Sequence, residues 1–494
     1  MPVPEQPIRG DFSTVLDVHD QVVRVAPEVE AFVDGDRRIT FEDWAAQADA
    51  LAAWMASEHG VGKGDIVAIK LPSSIDYAIA YQAALRLGAV ASGVNPRLGS
   101  SELAHILGRT NPKLVVDAPL DPALLDGGDP LRRRVAADPT DPVAIVWTGG
   151  TTGLPKGAWF DHACLEAMTL GAQPLSAVGD RRISPLPFAH VGYMTRMWDE
   201  LMHVITTLIV PSPWTAAGAL RLIHTERATV SQGVPTQYRL MFDHPDFPSI
   251  DASRLRIAGT GAARVPPELV HEIREKFGCR VVVRYASTET CLATGTRLDD
   301  DITTISTTVG RPNGDVELKI VDDDGEPVVP GAIGTVCTRS RAMFRGYWGE
   351  PERTAEAIDG DGWLHTGDLG WLGDDGNLRL AGRTTEMYIR GGYNVYPIEV
   401  ENCLGTHPAV AANAVVGAHV EDRLGEIGVL FVVPRSGHAV DLADLRAWVK
   451  EQLADYKAPD ALVVVDELPL TSIGKVDKKA LQSQADEEAG RWHR

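Results

Sequence analysis

Between Thr40 and Gly60 apolar residues recur at intervals of three and four: Phe41, Trp44, Ala45, Ala48, Leu51, Ala52 and Met55 would share one face of a helix. Thr40 followed by Asp43 is a pairing that closes a helix N-terminus. The period then changes. Ile66–Leu71 is a short apolar run that predicts a buried strand, and Tyr77–Leu87 returns to helical spacing. Another short run, Val143–Trp147, predicts a further buried strand. Strand and helix in alternation predict an α/β fold with a layered core. Residues 117–142, rich in Pro, Asp and Gly, read as a surface connector. From Val316 to Cys337 short strands with turns at Asp322–Gly325 and Pro330-Gly331 predict a small β-rich subdomain. Beyond Met387 the alternation resumes, with strands over Val410–Val416, Ile427–Val433 and Ala461–Val465 and a helix over Asp441–Leu453. That is an α+β pattern of about 100 residues, enough for an independent domain. The polar end from Gln482 onward is expected to fray.

A chain of 494 residues is too long for one core, so two or more domains are expected. The net charge of −21 argues against a nucleic-acid partner, while leaving room for a few local cations around a phosphate. Cys164, Cys279, Cys291, Cys337 and Cys403 are scattered and odd in number, which suits a reducing compartment. No Cys/His cluster suggests zinc. The start carries no secretory or transit pattern. The most apolar stretch, Ala78–Val94, is interrupted by Gln82 and Arg86, so no membrane span is expected. The expected location is cytoplasmic.

The chemistry gathers in a few strings. Thr148-Gly149-Gly150-Thr151-Thr152-Gly153-Leu-Pro-Lys156-Gly157 follows the Val143–Trp147 run. Four glycines in ten residues let several N–H groups point at one spot, and with threonine hydroxyls and the Lys156 ammonium they suit a phosphate chain. It is not a Walker A loop, because Gly157 stands where Ser or Thr would follow the lysine. Tyr285-Ala286-Ser287-Thr288-Glu289-Thr290 leaves a strand-like run, a place where α/β proteins bind ligands. Glu289 is a candidate Mg²⁺ ligand. Taken alone, Thr288 also reads as a helix cap with Glu289 in the first turn. Gly259-Thr-Gly261-Ala262-Ala263-Arg264 offers small residues beside which a flat base could lie, just before a helix start at Pro266-Pro267.

These strings, in this order, resemble the adenylate-forming superfamily, which contains acyl-CoA synthetases, peptide-synthetase adenylation domains and beetle luciferases. The resemblance extends over Thr40–Leu481 and takes in three further segments: Gly362–Gly370 around Asp368, Gly382–Glu401, and Leu468–Lys475. It implies a large N-terminal domain over 1–385 and a small mobile C-terminal domain over 386–494. It implies that Thr288 faces the α-phosphate, Glu289 the metal, Asp368 the ribose hydroxyls and Arg383 ribose and phosphate. Glu386 would be the interdomain hinge, Gly391 and Gly392 would line the pantetheine path, and Lys475 would neutralise the carboxylate and phosphate. Departures are Ala286 for a usual glycine, Thr385 for a usual lysine, and Leu470 for a commonly basic residue. The change at Thr385 is expected to remove a salt bridge of one rotation state.

Pro187–Trp198 resembles the entrance to the acyl pocket, with His190 at the family's histidine and Phe188, Val191, Gly192, Met194 and Trp198, together with Gly259, as its wall. The alternative is that Met194, Met197 and Trp198 are helix core. No Asp or Glu occurs from Phe188 to Trp198 to hold an α-ammonium, so an amino acid is not the expected substrate. The implied activity is ATP- and Mg²⁺-dependent activation of a hydrophobic carboxylic acid to an acyl adenylate, followed by transfer to coenzyme A. Loading of a carrier protein, release of the adenylate, luciferase-like oxygenation and a catalytically dead nucleotide binder are the alternatives. A homodimer stays open.

Overall fold

The computed structural model describes residues 3–127, 131, 134–148, 154–184, 186–261, 265–384, 386–391, 393–420, 424–471 and 476–491. The chain forms two compact units, one of Met1–Leu318 with Thr338–Leu364, the other of Lys319–Cys337 with His365–Arg494. These divisions fall at other places than residue 385, whose neighbour Glu386 is expected as a pivot.

The first unit contains two sheets. In one, the parallel strands Arg280–Ser287, Ile257–Gly261, Val230–Gly233, Arg181–Ser184, Thr206–Ile209 and Glu30–Asp34 lie side by side, with antiparallel strands added at both edges. In the other, Pro142–Thr148, Val90–Gly93, Ile66–Ile69 and Leu114–Val116 run parallel, and Lys156–Asp161 and then Gly346–Tyr347 add on antiparallel. Parallel strands are covered on both faces, so their apolar runs are continuous: all four residues of Ile66–Ile69 are buried. The helix Phe41–His59 forms where its spacing predicts. Thr40 and Asp43 make the reciprocal cap, and Gly60 ends it at φ 63°. The connector 117–142 contains a short helix, Pro122–Gly127.

The second unit holds a sheet of Glu317–Val321, Gly334–Arg339, Leu364–Leu372 and Leu378–Arg383, and a three-stranded sheet of Val410–His419, Glu426–Pro434 and Ala461–Val464. Its core is closed by Val400, Leu404, Val415, Leu430, Leu445 and Val449, all fully buried. The chain end departs from expectation. Lys478–Arg491 is a helix, because Leu481, Ala485 and Ala489 fall every fourth residue and bury a narrow stripe with Val416, Val429 and Phe431. No described helix is long and apolar enough to cross a membrane, and all five cysteines are buried thiols.

The terminal helix gives a stability test. Leu481→Ala is expected to cost about 2–4 kcal/mol in denaturant unfolding of the second unit and to speed amide exchange over 478–491. Exposed Ser483→Ala should stay within about 0.5 kcal/mol. Equal effects would mean that the helix is not held by its apolar stripe.

Candidate active site

In the first unit the candidate residues gather at the carboxyl ends of parallel strands, where an α/β sheet leaves room for ligands. Thr148 ends Pro142–Thr148, Gly261 ends Ile257–Gly261, and Tyr285, Ala286 and Ser287 end Arg280–Ser287. The loop after Thr148 returns antiparallel, since Thr148 pairs with Lys156. Gly149, Gly150, Thr151, Thr152 and Gly153 of that loop lie outside the described residues, as do Ala262 and Ala263. Gly259 and Gly261 have no space for a side chain: an added Cβ would strike Leu175 at the first and the Arg284 carbonyl at the second. Ala286 sits in extended strand backbone, so the alanine imposes no strain there.

Thr288, Glu289 and Thr290 do not open a helix, contrary to the capping alternative. They form the turn between antiparallel Arg280–Ser287 and Cys291–Gly295. Ser287 and Thr290 fasten it reciprocally: the Ser287 amide donates to Thr290 Oγ1 at 2.9 Å and the Thr290 amide to Ser287 Oγ at 3.0 Å. The same small hydroxyls that cap helices thus close a hairpin. The Glu289 carbonyl accepts from the Phe344 amide at 3.0 Å, which leaves its side chain aimed by a fixed backbone.

One residue the sequence offers no reason to single out is Tyr347. Its hydroxyl donates to Glu289 Oε1 at 2.9 Å and accepts from Lys156 Nζ at 3.4 Å, and the ammonium lies 4.5 Å from the ring centroid. Burial first, then the Glu289 charge, push the Tyr347 phenol well above its ordinary value, so it stays a donor. Lys156, Tyr347 and Glu289 come from segments far apart in the chain, which is why no local motif reveals the link.

His190 precedes the short helix Val191–Met194, and its Nδ1 accepts from the Gly192 amide at 3.2 Å. That fixes the neutral ring's proton on Nε2. Phe188 and Met194 are fully buried, with Val191 and Trp198 nearly so, while Gly192 is exposed. Phe188 stacks on Tyr193 at 3.6 Å with the rings 3° from parallel, and Tyr81 Oη donates to the Met194 carbonyl at 2.7 Å. Met194, Met197 and Trp198 are therefore part of the core, as the helix-core alternative has it. Asp199 is buried and held by Arg196 Nη2 at 2.6 Å and by Ser176 Oγ at 2.7 Å. Although burial opposes its charge, the Arg196 guanidinium and the His203 imidazole, 3.2 Å from Oδ1, hold the Asp199 carboxyl far below the usual range.

In the second unit Asp368 and Arg383 face each other across Leu364–Leu372 and Leu378–Arg383 and pair at 3.1 Å. Asp368 is buried rather than an exposed turn residue, whereas Arg383 is half exposed. Glu386 and Gly391 are in the same unit, Gly391 at φ 58° with its amide donating to the Leu424 carbonyl at 2.8 Å. Such a left-handed position favours glycine. Thr385, Gly392 and Lys475 lie outside the described residues. On either side of the undescribed residues 472–475, Leu470 and Val476 form an antiparallel bridge and the Asp477 amide donates to the Pro469 carbonyl at 2.8 Å.

The chain is similar to known proteins in sequence and fold. The AMP-binding enzyme family matches residues 19–348, and the AMP-binding enzyme C-terminal domain matches 399–475. A (methyl-dioxo-octahydroindenyl)propanoyl:CoA ligase of Mycobacterium tuberculosis is 35% identical over 96% of this chain and 99% of its own length. A feruloyl-CoA synthase of an Amycolatopsis species is 32% identical over 92% of this chain and 96% of its own. Among solved structures, an anthranilate CoA ligase in complex with anthranoyl-AMP superposes with a TM-score of 0.88 at 25% identity, over 98% of this chain and 99% of that one. The chain belongs to the adenylate-forming superfamily, in its acid:CoA ligase branch, and is an AMP-forming acyl-CoA synthetase whose substrates are ATP, coenzyme A and a small carboxylic acid.

Proposed function

We propose that the acid is apolar and bears a ring, and that it is activated at the strand ends that carry Thr148, Lys156, Thr288 and Glu289. The observation that carries the placement is the Lys156–Tyr347–Glu289 chain, which sets a cation and a carboxylate beside the turn expected at the α-phosphate. The ring is supported by what the relatives are named for, an octahydroindenyl propanoate, a ferulate and an anthranilate. An amino acid fits poorly: Asp199, the acid nearest the expected pocket segment, is already committed to Arg196.

In the first half-reaction the acid's carboxylate oxygen attacks the α-phosphorus, pyrophosphate leaves, and an acyl adenylate remains. The electrostatic demand is to hold several anions together, which Lys156, the donors of the glycine-rich loop and Lys475 would meet. Glu289 suits Mg²⁺, which takes one or two carboxylates and fills its shell with phosphate and water. Bound there, Mg²⁺ would neutralise phosphate charge, while Tyr347 fixes which Glu289 oxygen is free to face it. Asp368 and Arg383 would hold ribose. In the second half-reaction the coenzyme A thiolate attacks the acyl carbon along Gly391 and Gly392, and AMP leaves. Rotation at Glu386 would separate the two steps.

A panel of ring-bearing, straight-chain and amino acids, scored by acid-dependent pyrophosphate release, tests the substrate class; best turnover with an amino acid would overturn it. Lys475→Ala is expected to slow adenylation by about 10²–10³ and to spare transfer from a supplied acyl adenylate; equal losses would contradict its role. Glu289→Gln should raise the Mg²⁺ concentration needed for half-maximal rate, and Tyr347→Phe should do so by about tenfold. An unchanged Mg²⁺ titration in both would leave Glu289 only a turn residue. Glu386→Pro, which locks φ near about −65°, is expected to keep adenylation and lose thioester formation; wild-type rates in both would mean that residue 386 is no pivot.

A further inference from the structure

Four arginines close on the short segment 173–176, which follows the helix His162–Ala172. Arg256 Nη1 donates to the Pro174 carbonyl at 3.0 Å and Arg182 Nη2 to the Leu175 carbonyl at 3.1 Å. Arg196 Nη2 donates to Ser176 Oγ at 3.2 Å and Arg284 Nη2 to the Gln173 carbonyl at 2.6 Å. Three of the four also hold a carboxylate: Arg256 pairs with Asp180, Arg182 with Asp199 and Glu200, and Arg196 with Asp199. Arg284 has no carboxylate among the described residues, and the charges that act on it are the cations Arg297 and Arg196. Its second bond goes to another backbone carbonyl, that of Thr296, at 3.1 Å. The residue is 6% exposed and its Nε has no acceptor. Buried polar groups are ordinarily satisfied, so this guanidinium has donors to spare.

Arg284 stands on the strand Arg280–Ser287, on the same face as Val282, because alternate residues of a strand share a face. On that face Val282 packs with Leu175 and Ile257. In the neighbouring strand Val282 pairs with Gly259 and Arg284 with Gly261, and Gly259 is an expected wall of the acyl pocket. On the other side Arg284 pairs with Gly295, where an added Cβ would collide with the guanidinium. Arg196, whose charge reaches Arg284, belongs to the expected pocket segment 187–198. Burial first, then Arg297 and Arg196, lower the Arg284 pKa from the ordinary arginine value, yet a guanidinium keeps its proton at neutral pH. A strut between two carbonyls needs two donors, which a neutral amide would supply without burying a charge. Arg284 brings five, and two are used.

We propose that Arg284 is a specificity-determining residue: its spare N–H groups donate to a keto oxygen on the ring of the acid, away from the carboxylate that is adenylated. This rests on the reading of the substrate as a ring-bearing acid and adds one oxygen to that otherwise apolar ring. A neutral oxygen suits the place better than a second carboxylate. Both acceptors Arg284 already has are neutral carbonyls. A ketone loses little water on entering an apolar site, whereas stripping a carboxylate costs about as much as its pairing returns.

The test compares cyclohexylpropanoic acid with its three ring-keto isomers, reading kcat/KM from acid-dependent pyrophosphate release. Wild type is expected to favour at least one keto isomer over the parent acid by about tenfold to hundredfold, the worth of a hydrogen bond to a charged group. Arg284→Met should bring that ratio to within about twofold of one, and Arg284→Lys, a point charge without the fork, should fall between. A merely structural role at Gln173 would lower kcat/KM for both acids alike and leave the ratio where it was. A wild-type ratio near one for all three isomers, or a preference that persists in Arg284→Met, would overturn the assignment. So would faster turnover of a ring carboxylate than of every keto isomer. Thermal melts separate these outcomes from a loss of fold, and the wild-type ratio stands without any variant. If wild type turns over no cyclohexyl acid, the ring reading fails first and takes this inference with it. If it accepts these acids with and without the ketone equally, the inference alone fails.

Discussion

A carboxylate and a triphosphate repel each other, and an AMP-forming acyl-CoA synthetase has to bring them together. At about 4 Å two unit charges of one sign cost about 4 kcal/mol near a protein surface and more where water is excluded. In the proposed site the first unit would meet the demand with geometry rather than with bulk charge, since the chain as a whole carries −21. Parallel strands deliver Thr148, Gly261 and Ser287 at their carboxyl ends, and an antiparallel return brings Lys156 back beside Thr148. Tyr347 then joins the lysine to Glu289, so that cation and carboxylate are spaced instead of collapsed into a direct ion pair. Both keep capacity for a ligand.

What was legible in the sequence is what local spacing controls. The Thr40–Asp43 cap, the alternation of buried strands with helices, and the strands and helix beyond Val410 all follow from residues within a few positions of one another. The candidate strings were legible because glycine, threonine and carboxylate patterns are local too. Two features escaped for physical reasons. Thr288 and Glu289 carry chemistry that serves a helix start or a hairpin turn equally well, and the pairing of Arg280–Ser287 with Cys291–Gly295 decides between them. The terminal helix hides its apolar stripe in two alanines and one leucine among polar residues, so its order comes from the sheet it packs on. Tyr347 and Lys478 were invisible for a third reason. Their partners lie 58 and 92 residues away, and no spacing rule reaches that far.

The second unit carries Asp368, Arg383 and Glu386 together. Asp368 is buried while its partner Arg383 is half exposed. Lys478, at the start of the helix Lys478–Arg491, pairs with Glu386 Oε2 at 2.8 Å.

The central claim is that the acid's own oxygen attacks the α-phosphorus. Acid labelled with ¹⁸O in its carboxylate, turned over with ATP and coenzyme A, tests it directly by mass spectrometry of the nucleotide product. The account predicts AMP that carries one ¹⁸O atom, with pyrophosphate unlabelled. Label in inorganic phosphate together with ADP, or AMP free of label, would contradict it.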